Sequence, residues 1–278
     1  MIPRAGQLRA DLPSGPVLLR WTEWGRPDGS PVLCVHGLTR NGRDFDALAM
    51  ELARRGRRVI CPDVPGRGQS SWLADGALYA VPTYLAVMAP LLEALGEYDW
   101  VGTSMGGLIG MGVCATPGNR MRRFVINDIG PFVPVAALKR IRDYLSEPQR
   151  FVNLSDAEAY LRRVHAPFGP LSDAEWQHLA AHSARATERG DVVLHYDPAI
   201  AQPMSGPLTD IDLWPLWPAV AQRPMLVLRG ESSDLLLAET AAQMAQSPGV
   251  RVETVTRCGH APALMDPAQI LLVADFLA

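Results

Sequence analysis

Cysteine is scarce in this 278-residue chain, and Cys34, Cys61, Cys114 and Cys258 stand far apart with no CxxC pair among them. That spacing suggests neither a zinc cluster nor a disulfide framework, and it fits a reducing cytoplasm. Long apolar runs are missing too: LAVMAPLL, residues 85–92, is typical of the longest and is far too short to cross a bilayer. The opening MIPRAGQLRADLPSGP has no apolar signal core. Nor is there an excess of positive charge, since the formal net charge is −3. Nothing in the charge therefore invites nucleic acid or an anionic membrane surface. The expected partner is a small molecule, the expected location the cytoplasm, and the expected state a monomer or homodimer.

What is present is material for a core, with 48% of residues hydrophobic. Short apolar segments rich in β-branched residues predict buried strands at 31–37, 57–63, 98–104, 124–128, 224–230 and 250–256. Helical patterns fall between them, in FDALAMELARRG, VPTYLAVMAPLLEALG, LAETAAQMAQ and PAQILLVADFLA, the first two closed by Gly56 and Gly96. This alternation predicts an α/β fold, a mostly parallel sheet covered on both faces. VLLRWTEWG, residues 17–25, before Asp28 and Gly29, predicts an antiparallel edge hairpin.

From about residue 131 to 215 the rhythm stops. No buried strand is evident there, and S-D-A-E occurs twice, at Ser155–Glu158 and Ser172–Glu175, each time ahead of a helical pattern. Both read as capping boxes. The domain expectation is a core formed by 1–130 and 216–278, interrupted by a helical insertion over 131–215. Phe132, Phe151, Phe168, Trp176, Tyr196, Met204, Trp214 and Trp217 suit either an apolar cavity or the packing of insertion onto core. Its seven arginines, from Arg140 to Arg189, read as solvated helix faces.

The stretch VGTSMGGLIG, residues 101–110, holds four glycines in ten residues. So much lost backbone rigidity needs a reason. Ser104 closes a predicted strand and precedes a predicted helix, so the chain must turn sharply with the serine in a strained conformation, and Gly102 and Gly106 leave room for that turn. The turn aims the hydroxyl outward and sets the Met105 N–H at a helix N-terminus, where an oxyanion is favoured. A serine hydroxyl needs a base, and the base needs an orienting group. His260, in RCGHAPALMDP, and Asp234, in RGESSDLLL, both follow late strands and fall at the sheet's carboxyl edge. Asp128, which ends FVIND, is the rival to Asp234. Histidines 178 and 182 are four apart on a predicted helix, but no third ligand is obvious, so they read as surface residues and no metal is expected. Asp63 reads as shaping its own loop; Gly66 and Gly68 lack the lysine of a phosphate loop, so no nucleotide or other cofactor is expected.

Taken together, VLCVHGL, DVPGRGQS, VGTSMGG, LRGESSD and CGHAP resemble the α/β-hydrolase fold family, and the resemblance spans the chain outside 131–215. It implies that Ser104 attacks, His260 acts as base and then acid, and Asp234 orients the imidazole. It further implies a second oxyanion donor at the Leu38 N–H, with His36 and Gly37 ordering that turn, and a cap made by the insertion. HGLTRNGRDF, VINDIGP and HYDPAIA are similar to bacterial esterase-like members acting on small esters. The expected reaction is hydrolysis of a small carboxylic ester through an acyl-enzyme. The same residues would serve carbon–carbon bond hydrolysis, lactone hydrolysis or perhydrolysis, and a ligand receptor on a hydrolase scaffold is the non-enzymatic alternative.

Overall fold

The computed structural model describes residues 1–145 and 150–278. The chain opens with strands β1 (Arg4–Leu12), β2 (Gly15–Trp24) and β3 (Pro31–Val35). Helix α1 (Asp46–Arg54), β4 (Arg58–Asp63), α2 (Val81–Leu95), β5 (Tyr98–Thr103), α3 (Met105–Ala115) and β6 (Met121–Asn127) follow. The next stretch carries β7 (Phe132–Val133), α4 (Val135–Leu145), β8 (Arg150–Phe151), α5 (Leu154–Val164), α6 (Asp173–Ser183), β9 (Ala184–Ala186), β10 (Val192–Leu194) and β11 (Ile211–Asp212). It leads back into α7 (Trp217–Val220), β12 (Met225–Gly230), α8 (Ala238–Met244), β13 (Val250–Val255) and α9 (Pro267–Phe276).

Eight strands make one sheet in the order β1-β2-β4-β3-β5-β6-β12-β13. From β4 to β13 neighbours run parallel, while β2 is antiparallel to both β4 and β1. Alternate residues of each inner strand serve opposite faces, as the pleat requires. In β3, Val32 and Cys34 join α1 and α9 residues such as Leu48, Leu52 and Val273 in one core, and Leu33 and Val35 join α2 and α3 residues such as Val87 and Ile109 in the other. With both faces covered, strand interiors read as unbroken apolar runs.

The edge differs from expectation. Residues 17–25 do enter a hairpin, but their partner is β1, reached through Pro13 and Ser14 with Leu12 opposite Gly15, and they lie one strand in from the edge. Asp28 and Gly29 belong instead to the link into β3. In β1 only Ala10 is buried, so an edge strand this polar leaves no apolar alternation to read. The stretch expected to be purely helical also carries short antiparallel strands, β8-β10-β9 and β11-β7. With two or three residues each, they are held by pairing rather than by burial. Among the described residues no helix is long and apolar enough to cross a membrane.

Candidate active site

The loops that leave the carboxyl ends of β3, β5, β6 and β13 converge, as ligand sites in open α/β sheets do. Ser104, between β5 and α3, has φ 51° and ψ −116°, a left-handed conformation that costs a non-glycine residue roughly 1–3 kcal/mol. Its own peptide groups offset that strain: its N–H donates to Asn127 O at 2.9 Å, and its carbonyl accepts from Gly107 N at 2.8 Å and Leu108 N at 3.2 Å. The neighbouring glycines are steric necessities. A Cβ on Gly102 would come within 2.4 Å of Gly106 O, and one on Gly106 within 1.9 Å of Val35 O. At Gly37 the nearest atom to such a Cβ would be 3.7 Å away, an ordinary contact, and that atom is Ser104 Cβ.

Ser104 Oγ lies 2.8 Å from His260 Nε2, and His260 Nδ1 lies 2.8 Å from Asp128 Oδ2. An ionised carboxylate only accepts, so Nδ1 carries the proton and Nε2 is left as the acceptor for the serine hydroxyl. Asp128 has no solvent exposure, and its carboxylate is further satisfied by Gly230 N at 2.7 Å and Ser233 Oγ at 2.6 Å.

Here the expectation for the acid is corrected. Asp234 does not reach His260; its side chain is 49% exposed and forms a bidentate pair with Arg140, at 2.5 and 2.9 Å. The reason is the position of β6 beside β5: the residue that follows β6 lies on the serine's side of the sheet edge, within reach of His260. Asp128 turns its side chain there from φ 58°, a conformation Asp tolerates better than most residues. Asp234 lies four residues past β12, one strand further away, and Ser233 rather than Asp234 points inward.

Of the expected oxyanion donors, Met105 follows Ser104 and Leu38 follows Gly37, whose nearest neighbour is Ser104; the N–H groups of both make no hydrogen bond among the described residues. His36 is a brace: Nδ1 donates to Gly37 O at 2.7 Å and Nε2 accepts from Val64 N at 2.9 Å. Burial lowers its pKa to about 3, so it stays neutral. Sequence reasoning missed Arg67, which is fully buried. Its guanidinium donates to Leu38 O at 2.7 Å, Pro65 O at 2.7 Å and Tyr84 OH at 2.9 Å, which fixes the turn that carries the Leu38 N–H. Its only signal was a charged residue in DVPGRGQS, and no spacing rule marks such a residue as buried. Asp63 ties the same loop down by accepting from Gly42 N at 2.8 Å and Gln69 N at 2.9 Å.

Two small cavities meet at Arg40; Ser104, His260 and Asp128 line neither of them, though Gly37 and Thr103, which do border one, are the serine's neighbours. One, of about 30 Å³, is bordered by Gly37, Thr103, Phe168 and Ala261; the other, of about 10 Å³, by Thr39, Tyr144, His165, Ser183 and Tyr196; Arg40 borders both. Of the eight large residues expected either at a cavity or in packing, only Phe168 and Tyr196 line these two. A groove of about 760 Å³ between the β1-β2 hairpin and the 181–185 segment is larger, and none of the convergent residues or of Gly37, Arg40 and Thr103 borders it.

Histidines 178 and 182 are not free surface groups. They are half-buried, and with Asp46 they form a group whose ligand atoms lie within 4.8 Å of one another. The third partner is remote in sequence, which is why it was not found. A cation already sits among them, because Arg43 holds Asp46 at 2.5 Å and its carbonyl accepts from His178 Nε2 at 3.0 Å.

Comparison with known proteins agrees with this architecture. The model of the alpha/beta hydrolase family matches residues 32–271, and the chain belongs to that family. Among its relatives is a 3-hydroxybutyrate-oligomer hydrolase of Cupriavidus necator, 42% identical over 99% of this chain and 97% of that protein. Similar solved structures include a putative hydrolase from Rickettsia typhi, with TM-score 0.91 and 30% identity over 100% of this chain and 99% of that one. An alpha/beta hydrolase from Novosphingobium aromaticivorans has TM-score 0.88 and 37% identity over 99% and 98%.

Proposed function

We propose that the protein is a serine hydrolase of small carboxylic esters, with Ser104 as nucleophile, His260 as base and then acid, and Asp128 as the orienting carboxylate. One observation carries this reading: the unbroken line from Ser104 Oγ through both ring nitrogens of His260 to Asp128, each link 2.8 Å, beside two unengaged N–H groups. Ser104 Oγ attacks the ester carbonyl carbon as His260 Nε2 takes its proton. The carbonyl electron pair moves onto oxygen, towards the N–H groups of Leu38 and Met105. When the bond to the alcohol breaks, His260 returns that proton to the departing oxygen and the acyl group stays on Ser104. Water then attacks the acyl carbon, with His260 again the base, and releases the acid and the serine. Asp128 keeps its charge throughout and stabilises the imidazolium.

Residues 131–215 act in this reading as a cap. The two cavities are too small for an ester, so entry needs this segment to shift from its seams with the core, such as Asn41 Nδ2 to His182 O at 3.0 Å and Gly68 N to His195 O at 2.9 Å. The 42% identity to an oligomer hydrolase acting on 3-hydroxybutyrate units makes short esters of hydroxy acids the first substrates to try. Four buried free thiols suit a cytoplasmic enzyme.

Ser104→Ala tests the reading, with an expected loss in turnover on the order of 10⁴ to 10⁶ and an intact fold. A fluorophosphonate adduct located on Ser104 by mass spectrometry is expected alongside it. An adduct elsewhere, or undiminished turnover, sinks the assignment. Assays of an ester, a lactone and a 1,3-diketone separate ester cleavage from the other reactions open to this site.

A further inference from the structure

The space beside Ser104 is more polar than an aromatic-rich insertion suggests. A Cβ on Gly37 would lie 3.7 Å from Ser104 Cβ and 3.8 Å from Arg40 Cγ, so the Arg40 side chain begins close to the nucleophile. Asp44 holds Arg40 Nε at 2.7 Å and Nη2 at 2.8 Å. This fixes the guanidinium plane, balances its charge, and leaves Nη1 without a hydrogen bond among the described residues.

Next to Arg40, the inner cavity of about 10 Å³ has roughly the room of a single oxygen-bearing group. Ser183, only 4% exposed, borders it, and its Oγ is buried without a partner among the described residues. Such a hydroxyl has given up its bonds to water and received none in return. The Tyr196 residue is 5% exposed, and burial raises its pKa, so it remains a neutral phenol able to donate. Burial, with Arg40 and His260 nearby, lowers the His165 pKa well below the ordinary value, so its neutral ring offers one donor and one acceptor. The lining thus mixes donors and acceptors with the aliphatic Leu161, Val164 and Leu194, and its one charge, on Arg40, is already paired with Asp44. With that charge paired and room for one small group, it matches a hydroxyl better than a free carboxylate, and an alkyl chain placed there would leave the Ser183 hydroxyl unsatisfied.

We propose that Arg40, His165, Ser183 and Tyr196 form an acyl subsite that selects a hydroxyacyl ester over the plain acyl ester of the same length. This rests on the ester-hydrolase reading above. The test compares kcat/KM for ethyl 3-hydroxybutyrate and ethyl butyrate, which share a leaving alcohol and differ by one oxygen. The wild type is expected to favour the hydroxy ester. Ser183→Ala and Tyr196→Phe are each expected to lower that ratio about tenfold, the effect of one lost hydrogen bond in a dry site. Because Ser183 Oγ has no partner among the described residues, Ser183→Ala is expected to melt no lower than the parent, so a fallen ratio is not a folding effect. A wild-type ratio at or below one overturns the subsite, as does a ratio unmoved in both variants. If Ser104→Ala cleaves both esters as fast as the wild type, or the wild type cleaves neither, the ester-hydrolase reading itself fails and takes the subsite with it.

Discussion

At the scale of single residues, two carboxylates compete for one role, and burial decides between them. Asp128 accepts three hydrogen bonds in a site closed to water, whereas Asp234 shares an exposed pair with Arg140. Asp128→Asn keeps the shape but favours the wrong imidazole tautomer, and turnover is expected to fall about 10⁴-fold. Asp234→Asn removes a solvent-screened pair, expected to contribute at most about 1 kcal/mol of stability, and turnover should stay within a few-fold of the parent. Equal losses in the two variants would return Asp234 to the site. Glycines make a second contrast. A methyl on Gly106 meets the Val35 carbonyl at 1.9 Å, and nothing in that backbone can give way, while one on Gly37 finds its nearest neighbour at 3.7 Å. Gly106→Ala is expected to cost about 3 kcal/mol or more, read as a fall in Tm or in soluble yield. Gly37→Ala should fold normally and lose activity, because its methyl covers Ser104. The sequence made the crowded glycines legible, through the motif that needs them. It could not rank Asp128 against Asp234, since both follow strands at the same edge and only strand order separates them.

At the scale of elements, the two S-D-A-E stretches are identical in letters and differ in use. At α6 the pattern is a capping box: Ser172 N donates to Glu175 Oε2 at 2.6 Å and Glu175 N donates back to Ser172 Oγ at 3.3 Å. At α5 the helix has already begun at Leu154, and the cap is Asn153, whose side chain accepts from Asp156 N at 2.9 Å. Ser155 is then an ordinary first-turn residue, and Glu158 bonds Arg162 one turn on, at 2.7 Å. Asn caps at least as well as Ser, so the frame moved two residues towards the N-terminus. Ser172→Ala is expected to cost about 1 kcal/mol and Ser155→Ala close to nothing, a difference that thermal melts of the two variants resolve. Equal shifts would mean that the local pattern, rather than the better cap upstream, sets both helix starts. The small strands between β6 and β12 were illegible for a related reason. Two or three paired residues carry no period, and their partners can be remote in sequence, as Val193 is opposite Arg150 and Ile211 opposite Val133.

At the scale of the whole molecule, the five inner parallel strands were legible because they are buried on both faces and therefore spell apolar runs, and edge strand β13 through its β-branched residues although none of it is fully buried. Polar β1 was not, and neither was the histidine environment, which depends on packing of distant segments. Four of the six histidines, His36, His165, His182 and His195, have pKa values below the ordinary one, burial being the leading cause in each. The sign of the consequence follows from linkage. Between the unfolded value of about 6.5 and these lowered values, the unfolded chain holds protons that the folded chain refuses, so stability rises with pH across that window and is lost as the solution is acidified. For fully buried His36, lowered to about 3, the slope is about 1.4 kcal/mol per pH unit. Asp63, raised by burial, works the other way, but it begins to matter only as carboxylates protonate. The urea midpoint is therefore expected to be level above pH 7 and to fall steadily from about pH 6.5 downwards, before any carboxylate ion pair is lost. His36→Asn, a residue that does not titrate, should lower the midpoint at pH 7.5 and make the slope below pH 6.5 shallower by about one proton. A midpoint unchanged between pH 7.5 and 4.5 would mean that the histidines keep their protons on folding, and the neutral brace assigned to His36 would go with it.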